Sequence, residues 1–194
     1  MDGVSRHDAE RSLADALAEH CGVLSAVASL AEPLGDAADL VARAFAFGGR
    51  LLTCGNGGSA ADAQHIAAEF VGRYLKEREP WSAIALHANT SAVTAIANDY
   101  GFEQVFARQV RAHGRAGDVL LAISTSGASP NVLAAISAAH EVGMSVIGLV
   151  GGDGGAMAAV CDVILAVPGS TPRVQESHIL LAHVLCGLVE DALT

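Results

Sequence analysis

The chain has 194 residues, enough for one domain with a substantial core, and sets 11 Lys and Arg against 21 Asp and Glu for a formal net charge of −10. Hydrophobic residues make up 52% and aromatic residues 4%, which excludes a disordered chain and predicts a core of Ala, Val, Leu and Ile. The acidic balance excludes nucleic acid and anionic membrane as partners drawn in by the overall field. An anionic ligand therefore has to be held locally, by backbone N–H groups and helix ends.

The opening residues carry charges and no apolar segment of a signal peptide. No uninterrupted apolar stretch reaches roughly 18 residues, so no membrane span is expected and the cytoplasm is the default compartment. Residues 7–30 have helical apolar spacing through Leu13, Leu17, Val23, Leu24 and Val27. Pro33-Leu34-Gly35 predicts a break, and a second helix over 36–47 ends at Gly48-Gly49. The expectation is an N-terminal helical hairpin over 1–48 and an α/β core over 49–194, all in one domain.

From residue 50 the pattern changes to short apolar runs, each followed by a turn and a helix. Strands are expected at 50–54, 83–86, 118–123, 145–150 and 162–167. Helices are expected from the first glycine loop to about 74, around 91–96 and 102–113, over 130–142, and over 173–193. Such alternation predicts a five-stranded parallel sheet covered on both faces by helices. Ligands of these sheets bind at the carboxyl ends of the strands, near a topological switch point.

Two loops fit an anion. Gly55-Asn56-Gly57-Gly58-Ser59 lies between a strand and a helix, where consecutive N–H groups form a nest. It matches neither GxGxxG nor the P-loop, and no Lys follows its glycines. Ser124-Thr125-Ser126-Gly127-Ala128-Ser129 places four hydroxyls in six residues ahead of Pro130 at a helix start. Each loop alone is also ordinary turn and capping chemistry; two in one parallel sheet favour a phosphate. Gly151–Gly155 has an acid, Asp153, and no hydroxyl, and reads as a turn.

His65 and Glu69 are four apart on one helix face and form a metal pair, an acid–base pair or a plain polar face. In the closing helix, seven-residue spacing would put Glu176 with His183, whereas Gln175 is offset by about 80°. His183 has apolar neighbours and fits a core or interface position equally well. His7, His20, His113 and His140 read as surface positions. The four cysteines are far apart, with no metal-binding spacing, and Cys54 and Cys186 lie in apolar runs.

Four stretches then resemble the phosphoheptose isomerases of the SIS sugar-isomerase family. They are CGNGGSAADAQHIAAEFVGR (Cys54–Arg73), TAIANDYG (Thr94–Gly101), AISTSGASPNV (Ala122–Val132) and VQESHILLAHVLCGLVE (Val174–Glu190). The resemblance implies a flavodoxin-like sheet and a cytoplasmic homotetramer with active sites between subunits. It implies conversion of sedoheptulose 7-phosphate to D-glycero-D-manno-heptose 7-phosphate through an enediol, with one zinc per subunit. By the same resemblance Ser59, Ser124, Thr125, Ser126 and Ser129 hold the phosphate, and Asn56, Gly57, Gly58, Asn98, Asp99, Glu69 and Gln175 contact substrate. His65, Glu69, Gln175 and His183 hold zinc, with Glu69 as base and His183 as acid. The resemblance thus selects Gln175 over Glu176.

One stretch departs from the family pattern. His87-Ala88-Asn89 stands where many members carry Thr-Thr-Asp, which is either neutral drift or a change of product epimer. Non-catalytic SIS binding proteins form the other reading, and retention of Glu69 with His65 and His183 favours the enzyme.

Overall fold

The computed structural model describes Gly3 and residues 5–194. Helix α1 (Arg6–Val27) is capped by Ser5, whose hydroxyl accepts the Asp8 N–H at 3.1 Å. The expected hairpin does not form. One turn of 3-10 helix over Ala28–Leu30 joins α1 to α2 (Ala31–Ala46), and Val27, Ala28 and Ala31 all keep right-handed helical angles. The chain runs on from Arg6 to Ala46 without reversing. Pro33 fails to break it because it falls in the first turn of α2, where its missing N–H forfeits no helical bond.

By length and composition alone this run is long and apolar enough to cross a membrane, which the interrupted apolar sequence did not suggest. Its α2 half is nonetheless core: Leu34, Ala37, Ala38, Val41, Ala42 and Phe45 are buried against the sheet.

The strands are β1 (Leu51–Gly55), β2 (Ala83–Ala85), β3 (Val119–Ser124), β4 (Ser145–Gly151) and β5 (Val163–Val167). They form one all-parallel sheet in the order β2-β1-β3-β4-β5, with Leu52 opposite Leu120 and Leu120 opposite Val146. Side chains alternate between two cores, as a two-residue period requires. Leu51, Leu121, Ile123, Leu149 and Val167 face α2, α3 (Gly58–Val71) and α7 (Thr171–Leu193). Leu52, Cys54, Leu120, Ala122 and Val150 face α4 (Thr90–Tyr100), α5 (Val105–His113) and α6 (Pro130–Val142). Burial pushes the Cys54 and Cys186 thiols up to about 12, so both behave as small apolar groups.

The chain leaves β1 toward β2 and then crosses to β3 on the other side. That reversal opens a crevice at the carboxyl ends of β1 and β3. The two hydroxyl-rich loops leave from these two strands. Helix α7 is anchored beneath this end by His178, fully buried, whose Nε2–H donates to the Val150 carbonyl at 3.0 Å. Burial lowers the His178 pKa, with that hydrogen bond acting in the opposite sense.

Candidate active site

The first loop turns on Gly57, whose φ of 57° with ψ of −121° is a backbone state open to glycine. Gly58 then starts α3 and aims its free N–H groups at the crevice. Ser59 is buried at this helix start. In the second loop the Ser124 Oγ lies 2.9 Å from that of Ser129 and 3.3 Å from that of Ser126. Ser124 is buried, Thr125 and Ser129 are half-buried, and Ser126 is exposed.

The Gly151–Gly155 turn has a structural duty that its lack of hydroxyls concealed. The Gly151 N–H donates to the Thr125 carbonyl at 3.1 Å, and the Met157 N–H to that of Gly127 at 3.0 Å. Gly127, at φ 62°, packs so closely that an added Cβ would strike the Gly154 carbonyl. The turn is the floor on which the serine loop rests.

Sequence reasoning missed the clamp between the two loops. Asn56 and Asn131 exchange reciprocal amide hydrogen bonds, each 2.8 Å, across 75 residues of sequence. Asn131 is buried in the first turn of α6, and its only sequence signal is its place behind Pro130 in the serine motif. Asn56, Ser129, Pro130 and Asn131 line a cleft of about 340 Å³ with Phe102 and Glu103. Asn131→Ala would leave the Asn56 amide unpaired, a loss of about 1–3 kcal/mol. We expect it to raise KM for a sugar phosphate severalfold while the thermal midpoint falls by a few degrees, as checked by steady-state kinetics and calorimetry.

Asn98 and Asp99 lie exposed at the end of α4, where the Asn98 amide donates to Asp99 at 2.8 Å. They precede Phe102 of the cleft by four and three residues, with the non-helical Gly101 between. His87 sits between the end of β2 and the first loop, lining a 130 Å³ cavity with Asn56 and Gly57, and burial lowers its pKa.

Along α3, the i, i+4 spacing carries His65 and Glu69 onto the face that meets α7. The His65 Nε2 lies 3.4 Å from the Glu69 carboxylate and 2.9 Å from the His183 Nε2. Ligand atoms of all three side chains fall within 4.8 Å of one another. Such a convergence of two imidazoles and a carboxylate can hold a divalent cation and can also move protons.

Within this one chain Gln175 lies apart from them. Eight residues of helix separate it from His183 by about 12 Å of rise. Its side chain packs on Gly58, so tightly that an added Cβ there would overlap the amide. Glu176 is also elsewhere: it pairs with Arg173 at 2.6 Å and with the His20 Nδ1 at 2.7 Å, facing α1. The spacing argument that coupled Glu176 to His183 fails because α1 covers that face. His20, read as a surface residue, is half-buried in this contact.

A switch-point cradle of N–H groups and hydroxyls, with an acid–base cluster on the helix it starts, defines a sugar-phosphate-binding α/β domain of the SIS type. The SIS domain model matches residues 17–151, and the chain belongs to that family. Among its relatives, the phosphoheptose isomerase of Rhodospirillum rubrum is 60% identical over 84% of this chain and 87% of that protein. The solved phosphoheptose isomerase GmhA of Neisseria gonorrhoeae superposes with a TM-score of 0.89 at 49% identity, over 94% of this chain and 98% of that one. The phosphoheptose isomerase of Francisella tularensis also reaches 0.89, at 36% identity, over 97% and 100%.

Proposed function

We propose that the chain interconverts sedoheptulose 7-phosphate and D-glycero-D-manno-heptose 7-phosphate, as an aldose–ketose isomerase feeding nucleotide-heptose biosynthesis. The observation that carries this reading is the convergence of His183 of α7 with His65 and Glu69 of α3, the helix whose first turn follows the phosphate loop. Seven residues of α3 put that cluster about 10 Å from the loop. This is the reach of an extended sugar phosphate rather than of a phosphate alone.

In the ketose-to-aldose direction Glu69 takes a proton from C1, the enediol forms, and Glu69 returns a proton to C2. His183 protonates O2 as the carbonyl electrons arrive and accepts the O1 proton as the new carbonyl forms. Ser59, Ser124, Thr125, Ser126 and Ser129 hold the phosphate with the loop N–H groups, and that remote binding positions the reacting carbons. Gln175 touches substrate at the first loop, a role supported by its side chain lying beside Gly58.

The cluster fits zinc by its chemistry: two imidazole nitrogens and a carboxylate oxygen are three suitable ligands that leave a position open. Bound there, zinc would polarise the carbonyl and hydroxyl oxygens as a Lewis acid. We expect chelation to abolish turnover and added zinc to restore it. His65→Ala should lose the metal, whereas Gln175→Ala should keep it and raise KM. Full activity in metal-free protein would contradict the metal's role, and loss of zinc in Gln175→Ala would return that residue to the ligand set.

The proposal includes a cytoplasmic homotetramer with active sites at subunit interfaces. Its support is a ridge on α7, where Leu180, Val184 and Leu188 are 40%, 42% and 39% exposed beside His183. A second apolar groove, lined by Leu13, Leu17 and Ile179, runs between α1 and α7. Sedimentation of the purified chain at the mass of one subunit would contradict it.

A further inference from the structure

We propose that Tyr74 is a positioning residue for His183: its ring, locked in place by a buried ion pair, sets the plane in which that imidazole works. This rests on the acid role given to His183 above. The Tyr74 ring stacks on the His183 ring with centroids 5.4 Å apart and planes 20° from parallel. The His65 ring meets the same imidazole edge-on, at 5.1 Å and 69°. With an aromatic face on one side and His65 at its edge, His183 is held with Nε2 toward His65 and Glu69.

The segment after α3 explains why Tyr74 stays there. The Glu190 carboxylate accepts three consecutive backbone N–H groups, from Tyr74, Leu75 and Lys76, each at 2.9 Å. It also accepts the Arg78 guanidinium at 3.1 Å, and both side chains of this pair are almost wholly buried. Arg78 in turn donates to the carbonyls of Glu69, Phe70 and Gly72 at the end of α3, and the Phe70 carbonyl also accepts the Trp81 N–H at 3.1 Å. Its guanidinium lies 3.8 Å over the Trp81 ring. One ion pair thus fixes the peptide of Glu69 and the backbone of Tyr74 together. The edge of the Tyr74 ring passes close to Gly187, one turn beyond His183 in α7.

Among the described residues, neither ring of the stack hydrogen-bonds to the phosphate loops, so its loss should act on kcat and spare KM. In the full-length chain we expect Tyr74→Leu to lower kcat about tenfold and to shift KM by less than about twofold, with Tyr74→Phe restoring the rate. A second readout is independent of activity. The carbon-bound protons of His183, observed by NMR in histidine-labelled protein and assigned with His183→Gln, lie under the Tyr74 ring current. They should move downfield in Tyr74→Leu and return in Tyr74→Phe. If Tyr74→Leu does not fold, Tyr74→Met serves as the same test. Wild-type kcat in the ring-less variant, or unmoved His183 signals, would overturn the proposal. Full turnover in His183→Gln would instead overturn the acid assignment on which it rests, so the two failures are distinguishable.

Discussion

Glu69→Gln should lower kcat by about 10²–10⁴-fold, the usual contribution of a positioned acid or base, while the protein still folds and still binds phosphate. The carboxylate sits at the end of α3 with its backbone carbonyl held by Arg78, so an isosteric amide disturbs neither the helix nor the clamp. What the amide cannot do is accept a carbon-bound proton. The thermal midpoint should therefore stay within a few degrees of the parent, and competition by inorganic phosphate should be unchanged. Near-normal turnover would remove Glu69 from the mechanism. Lost phosphate competition would show that the substitution had reached the loops and had not isolated the chemistry.

Arg78→Ala is the largest expected stability effect. It would strand the Glu190 carboxylate among backbone N–H groups, and it would remove the guanidinium's hydrogen bonds to the Glu69 and Phe70 carbonyls at the end of α3. Breaking a buried pair from one side costs about 3–5 kcal/mol. We expect a matching fall in the urea midpoint at constant slope; a change below about 1 kcal/mol would mean that water replaces the guanidinium without loss. Burial by itself would raise the Glu190 carboxyl, but the N–H groups of Leu75, Lys76 and Tyr74 and the Arg78 guanidinium outweigh it and hold the group below its ordinary range. A carboxyl depressed on folding contributes stability above its unfolded value of 4.5 and loses it as pH falls through the folded one. The loss of stability below that pH should accordingly be shallower in Glu190→Gln than in the parent.

These two groups mark what was legible in the sequence and what was not. The sheet was legible because each buried strand is a short Val, Ile and Leu run bounded by a turn, and the loops because Gly and hydroxyl residues cluster densely where β1 and β3 end. His65 with Glu69 was legible as a helical pair, but their union with His183 required α3 and α7 to pack side by side. Periodicity within α7 chose Glu176, since spacing carries no information about which face α1 covers. The hairpin expectation failed on a single position: a proline reads as a break anywhere in a sequence, yet in a first helical turn it interrupts nothing. Asn131, Tyr74, Arg78 and Glu190 were silent because each acts through a partner distant in sequence, Arg78 and Glu190 being 112 residues apart.

The central claim is that this site isomerises a seven-carbon sugar phosphate. The most direct test is to incubate the zinc-loaded chain with sedoheptulose 7-phosphate and follow the sugar by NMR. The expected result is D-glycero-D-manno-heptose 7-phosphate accumulating to equilibrium, and no product with Glu69→Gln. A different heptose epimer would contradict the assigned product and direct attention to His87 beside the first loop. Tight sugar-phosphate binding without turnover would contradict the enzyme and leave a binding protein on the same fold.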